Sequence, residues 1–323
     1  LFVEQFLLML VGIADTFVVS FASEADVSGV SLVNSFNTVL VFLFTALSSG
    51  GAVIISQYLG SKNTRKAEES AGQLLMASAV LSALLAGAIL LFPRQLLGLL
   101  FGQVEGDVME AGLTYLVITA WSLPALAVYD AGAALCRSTG RAGATMYIST
   151  AANVVNILGN CVGVFVLGLG AAGVAFPSLI ARVLSAIAVT AYCFRGSGAA
   201  RYRVRDIFVW DGALLKKILG IALPNGIENG VHQLVKVALS SMVALFGTAQ
   251  IAANGVAQSI WSLASIMGLA MAPVYTTVIG RCMGAGDVRF TMAVSVTLTV
   301  AARLFFSVLF GLWLDWGVIG VAV

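Results

Sequence analysis

The sequence predicts an all-α, polytopic membrane protein built from about ten transmembrane helices. Three observations carry this. Hydrophobic residues make up 60% of the 323 residues and charged residues only 10%, and the mean hydropathy of +1.01 is far above that of a water-soluble domain. The apolar residues gather into runs of roughly 20 to 30, long enough at about 1.5 Å per residue to cross a hydrocarbon core of about 30 Å. Basic residues recur in every second connection, as they do in a chain that weaves through a bilayer.

Taken in order, the runs lie at about 1–21, 28–58, 68–92, 111–136, 143–167, 171–194, 214–245, 251–279, 289–313 and 316–323. The sequence begins at Leu1 inside the first run and stops within the tenth, after "WGVIGVAV". No signal peptide is legible, and the first span of a polytopic protein serves as its own targeting signal.

Thirteen of the seventeen Lys and Arg residues fall in alternate connections: Lys62, Arg65 and Lys66; Arg137 and Arg141; Arg195, Arg201, Arg203, Arg205, Lys216 and Lys217; Arg281 and Arg289. The other connections carry Glu24, Asp26, Glu105, Asp107 and Glu110, with Arg94 the only cation. The basic connections, and with them the start of the chain, are therefore expected on the cytoplasmic side of a bacterial membrane. The longest hydrophilic stretch, Arg195 to Lys217, reads as a cytoplasmic linker. It sets an N-terminal lobe of six spans at 1–195 apart, across residues 196–213, from a C-terminal lobe of about four at 214–323. Its charges read as solvated face and topology signal, and the charge distribution excludes a nucleic-acid partner. Cys136, Cys161, Cys193 and Cys282 form no C-x-x-C pair, so they read as packing residues, with no metal site.

The two lobes echo each other. "CRSTGRAGATM" at Cys136 returns as "CMGAGDVRFTM" at Cys282, an offset of 146, and "GAAGVA" at Gly170 returns as "GVIGVA" at Gly317, an offset of 147. The opening segments echo at a longer distance: "SGVSLV" at Ser28 pairs with "NGVAQS" at Asn254, an offset of 226, and "QYLGSKN" at Gln57 with "RCMGAGD" at Arg281, an offset of 224. The drop of about 78 residues corresponds to one transmembrane hairpin. The C-terminal lobe is therefore expected to lack a counterpart of that hairpin, with a seam near Asp287.

The runs "VGIADTFVVS", "SGGAVIISQYLGSKN", "ALCRSTG", "NVVNILGN" with "LGLGAAGVA", "ILGIALPNGIE", and "IAANGVAQSI" with "VIGRCMGAGD" resemble successive landmarks of the multidrug and toxic compound extrusion (MATE) transporters, in their bacterial branch. The resemblance implies two six-helix lobes around a central cavity, with helices nine and ten missing here. It implies cation-coupled antiport, driven by H+ or Na+ and needing no cofactor, that exports amphipathic and often cationic organic molecules from a monomer embedded in the lipid bilayer. Two alternatives stay open: a lipid-linked saccharide flippase of the same superfamily, and a non-transporting remnant.

Several polar residues stand out within the runs. Asp15 lies midway along the first, where an ionised carboxylate is costly unless hydrated or paired. It resembles the first-helix aspartate with which the family binds its coupling ion. Glu4 lies on a similar face nearer the cytoplasmic end. Asn153, Asn156 and Asn160 occupy i, i+3 and i+7 on one face of the fifth run. Their amides suit a hard cation such as transient sodium, and equally suit holding helices together.

By the resemblance, Asn156 neighbours Asp15, Asn160 stands where some members carry a second aspartate, and Ser178 keeps the hydroxyl of a family threonine. Pro177 is expected to loosen the sixth helix and free backbone carbonyls. Tyr129 and Asp130 are cavity candidates two turns before Arg137, with Asp130 equally a candidate to pair with a basic group there, and Arg182 and Arg303 are the corresponding intramembrane cations, equally candidates for lobe-stabilising partners. Glu228, His232 and Lys236, spaced i, i+4 and i+8 in "NGIENGVHQLVK", put a carboxylate, an imidazole and an ammonium on one stripe of the seventh run. They are candidates for the cavity or a C-lobe cation site. No strand-anchored phosphate loop and no paired nucleophile and base are present, so an enzyme is not expected.

Overall fold

The computed structural model describes residues 18, 21, 23–101, 106–195, 201–203, 205 and 210–244. Within them the chain forms α1 (Glu24–Gly60), α2 (Thr64–Leu91), α3 (Pro93–Phe101), α4 (Gly106–Ser138), α5 (Ala142–Cys161, prolonged by a π turn at Val162–Val166), α6 (Gly170–Arg195) and α7 (Gly212–Ala244). No strand occurs among the described residues. Five stretches are long and apolar enough to cross a bilayer: Ala25–Gly60, Thr64–Leu91, Gly106–Ser138, Ala142–Val166 and Ala171–Arg195. They realise the second to sixth runs, and α7 realises the seventh. The remaining runs, the repeat of the second lobe and the stretch around Asp287 lie outside the described residues, as do Glu4, Asp15, Cys282 and Arg303.

The structure adds three features to the expected runs. Glu24 and Asp26, expected in a connection, stand in the first turn of α1. Ser23 caps that helix: its hydroxyl accepts from the Asp26 amide at 3.1 Å and donates to Asp26 Oδ2 at 2.8 Å, so helix formation starts one turn before the apolar run. Asp26 Oδ1 also accepts from the Ala171 amide in the first turn of α6, at 3.0 Å. One carboxylate thus serves the positive ends of two helices. The chain reaches that contact through Gly168 and Gly170, both at positive φ (61° and 53°). The second is α3, nine residues long, which was not anticipated because it is too short to show a span. The third is the π turn, in which the Leu167 amide reaches back to the Val162 carbonyl at 3.0 Å.

The helices pack through backbone contacts that only small residues permit. A Cβ on Gly29 of α1 would meet the Gly112 amide nitrogen of α4 at 2.6 Å, and one on Gly50 would meet the Ile218 carbonyl of α7 at 2.8 Å. Two apolar cores result. One, nearer the acidic end of the bundle, contains Val33, Phe44, Leu116, Leu123 and Ala175. The other, at the basic end, contains Ile55, Leu74, Leu135 and Val189 together with Tyr202, Ile218 and Ile221. Apolar side chains such as Leu84, Val154 and Ile187 remain exposed, as expected where the surrounding solvent is lipid.

Tyr202, from the hydrophilic stretch after α6, is therefore part of the basic-end core. Tyr202 is buried, its amide donates to the Cys193 carbonyl at 3.2 Å, and its ring stands 5.7 Å from that of Phe194. Burial pushes its phenol well above the ordinary tyrosine range, so it stays neutral. Next to it, Arg203 Nε lies 2.6 Å from Oε2 of Glu68, a buried carboxylate at the start of α2. Asp211 caps α7 through the amides of Ala213 and Leu214 (2.9 and 3.2 Å), while its own amide donates to Gln73 of α2 at 3.1 Å.

Arg203→Ala should leave the Glu68 carboxylate buried without its counter-charge. Arg203 is 43% exposed, so the expected cost is about 1–3 kcal/mol, below that of breaking a fully buried pair. Thermal unfolding in detergent checks this. The Glu68→Gln, Arg203→Ala double variant should recover part of the loss, and a single variant as stable as the parent would show the pair to be a bystander.

Candidate cation-binding site

The polar residues of α5 and α6 meet because the two antiparallel helices come unusually close. A Cβ on Gly159 would lie 2.6 Å from the Pro177 ring. About one turn beyond it, Gly163 in the π turn abuts the Gly173 carbonyl, with no room for a side chain on either residue. Pro177 is part of the reason. It has no N–H to give the carbonyl four residues earlier, which is that of Gly173. The helix runs on through Pro177 without a break, so the expected loosening takes the form of one released carbonyl facing α5.

At this contact Asn160 Nδ2 donates to Asn156 Oδ1 at 3.3 Å, Asn156 Nδ2 donates to Ser178 Oγ at 2.8 Å, and Ser178 Oγ donates to the Val174 carbonyl at 3.0 Å. The chain has one direction, from α5 into α6. Asn160 is fully buried and Asn156 is 7% exposed. Asn156 lies about 21 Å along α5 and Ser178 about 12 Å along α6, so the cluster sits well inside the bundle. Three of the predicted residues are thus brought together. Asn153 shares the face but not the bonds: it is half-buried, and its Nδ2 has no hydrogen-bond partner among the described residues. Arg182, one turn beyond Ser178, is turned instead to Ser122 of α4, donating at 2.7 Å.

That contact belongs to a second polar belt that the sequence reading missed. Ser122 Oγ donates to the Thr119 carbonyl at 2.6 Å, Thr119 Oγ1 to the Tyr115 carbonyl at 2.8 Å, and Asn37 Nδ2 of α1 to Thr119 Oγ1 at 3.4 Å. The available signal was Pro124, which releases the Ala120 carbonyl within a run whose Thr and Ser are otherwise unremarkable. Tyr129 and Asp130 are half-buried further along α4, toward its basic end. Glu228 and His232 are half-buried one turn apart on α7. The backbone of Lys236 continues the stripe, and its side chain lies outside what is described.

The arrangement is an amide and hydroxyl cluster inside a helix bundle, with glycine contacts holding the helices at a fixed separation. The MatE family model matches residues 1–162, which include α1, α2, α4 and all of α5 up to the cluster. The chain belongs to the MATE family.

Among curated MATE relatives, it is 28% identical over 288 residues to the uncharacterized transporter YisQ of Bacillus subtilis, covering 88% of this chain and 63% of YisQ. It is 25% identical over 301 residues to a probable multidrug resistance protein NorM of Thermotoga maritima, covering 90% of this chain and 63% of that protein. The chain thus spans less than two thirds of the length of either. Solved structures share the all-helical MATE fold. A MOP superfamily transporter from Pyrococcus furiosus superposes with a TM-score of 0.81 at 20% identity, over 97% of this chain and 70% of the other. A MATE in its bent conformation gives 0.81 at 19%, over 99% and 74%.

Proposed function

We propose that this chain acts as a cation-coupled exporter of amphipathic, often cationic, organic compounds by alternating access. It does so as a monomer in the bacterial cytoplasmic membrane, with its basic connections and its N-terminus on the cytoplasmic side. Lobes 1–195 and 214–323, joined by linker 196–213, move relative to each other, and no catalytic step is involved. The observation that supports this most directly is the buried chain Asn160, Asn156, Ser178. Its oxygens are hard donors suited to sodium or to a hydrated proton, and they lie at a depth where polar groups are kept for function. The relatives described as multidrug resistance proteins favour organic substrates.

In this reading Asp15 supplies the charge. A carboxylate at that depth binds a cation and is neutralised by it, which biases the helices around it toward one access state. Neutral oxygens from Asn156, Asn160 and Ser178 complete the site without adding charge. Glu228, His232 and Lys236, with Tyr129 and Asp130, line the route of the substrate.

Asp15→Asn should abolish resistance of a drug-sensitive bacterial host, and efflux of a cationic dye, at unchanged abundance of the protein in the membrane. Resistance equal to that of the parent would reject the assignment.

A further inference from the structure

Cys136 of α4 and Cys193 of α6 bring their sulfurs to 3.6 Å, and both residues are buried. The helix contact explains this. α4 and α6 run parallel, and a Cβ added to Gly132 would lie 2.8 Å from Val189 Cγ1. Cys136 follows Gly132 by four residues and Cys193 follows Val189 by four, so each cysteine repeats its neighbour's position one turn on. The glycine lets the backbones approach, and the next turn places thiol against thiol. Cys193 Sγ also lies 3.7 Å from the Gly132 carbonyl, as its donor, which fixes its direction.

The surroundings suit chemistry at sulfur. Arg137 follows Cys136 directly, and the Arg141 guanidinium stands over the Tyr192 ring at 6.0 Å, beside Cys193. Two cations thus stand at the end of the helices where the sulfurs meet. Tyr202 of the linker covers the pair from the basic end, through its bond to the Cys193 carbonyl.

We propose that Cys136 and Cys193 form an oxidisable thiol pair, converted by a small hydroperoxide into a disulfide that joins α4 to α6. One thiol attacks the peroxide. Its O–O bond breaks, an alcohol or water leaves, and the sulfur becomes a sulfenic acid. The second thiol attacks that sulfur, the S–O bond breaks, water leaves, and the S–S bond forms. Two thiols are oxidised by two electrons, and the peroxide takes up both electrons and both protons. The sulfurs need to close from 3.6 Å to about 2.05 Å. The peroxide is uncharged and close to water in size. On the cytoplasmic side the thiol pool reopens the bond, which makes it a transient redox mark on the exporter.

The test uses the whole chain in membrane vesicles treated with hydrogen peroxide, then denatured, alkylated with N-ethylmaleimide, digested and analysed by mass spectrometry. The expected result is joint loss of alkylation at Cys136 and Cys193, with one cross-linked peptide containing both. Dithiothreitol should reverse it, Cys161 should remain alkylated, and Cys136→Ser and Cys193→Ser should each remove the cross-link. Both cysteines alkylated as fully as before treatment, or oxidised singly to sulfinic acid without a cross-link, would overturn the proposal. The peptide map of the parent protein decides this even if a serine variant folds poorly.

Discussion

Gly163→Val is expected to prevent the bundle from assembling in a detergent-stable form. At this position a Cβ meets backbone, namely the carbonyl carbon and Cα of Gly173, each 2.8 Å away, with the carbonyl oxygen nearer still. Side chains can turn aside from an added methyl, but a helix backbone yields only by moving as a whole. That motion would part Gly159 from Pro177 and Asn156 from Ser178 along the same seam. Overpacking within an apolar core costs about 1–3 kcal/mol, and displacement of a whole helix should reach or exceed the top of that range. Size-exclusion chromatography of a fluorescent fusion, followed by thermal unfolding, reads the effect. Gly87→Ala is the control, because nothing lies within 4 Å of a Cβ there. It should unfold at nearly the parent temperature. A Gly163→Val protein as stable as Gly87→Ala would mean that α5 and α6 do not touch in this way.

The second to seventh runs were legible because hydropathy over 20 to 30 residues is a collective signal that no single residue can spoil. The features that escape it lie where a local contact outweighs it. α1 begins at Glu24 because Ser23 and Asp26 cap each other, a two-residue event at the edge of an apolar run. The π turn at Val162–Val166 depends on Gly163 lying against Gly173, a tertiary contact with no periodicity of its own. The linker likewise reads as solvated charge in one dimension. Only in three dimensions does Arg203 meet a buried Glu68 while Tyr202 fills the space beside it.

The site was legible in part for similar reasons. Helical spacing places Asn153, Asn156 and Asn160 on one face, but it does not say which of them finds a partner across the gap. That depends on α6, where Ser178 stands level with Asn156, while Arg182, one turn on, is drawn to Ser122. The Asn37, Thr119 and Ser122 belt stayed hidden because isolated hydroxyls in an apolar helix usually bond back to their own carbonyls. Thr119 and Ser122 do so here as well. Their links to Asn37 and Arg182 are visible only once the helices are packed.

Asn156→Leu should separate the two roles that spacing leaves open for these amides. Leucine nearly preserves the volume and removes both hydrogen-bonding groups. Ser178 keeps its bond to the Val174 carbonyl, whereas Asn160 loses its bond to the Asn156 oxygen. If the amides serve a cation, the loss falls on its binding: about 1–3 kcal/mol for polar groups left unmatched in a buried site, or roughly 5- to 150-fold in affinity. Thermal stabilisation by added sodium, or by lowered pH, should then shift to correspondingly higher cation activity, and dye efflux should fall at unchanged protein abundance. Asn156→Asp keeps an oxygen at the same place and lets Ser178 become the donor. It should therefore retain cation binding and gain a steeper dependence on pH. If the amides only hold α5 to α6, the order reverses: leucine, apolar among apolar neighbours, is tolerated with cation binding unchanged, and the buried charge of aspartate is the damaging substitution. The two variants thus predict opposite rankings under the two roles, and the ranking decides between them.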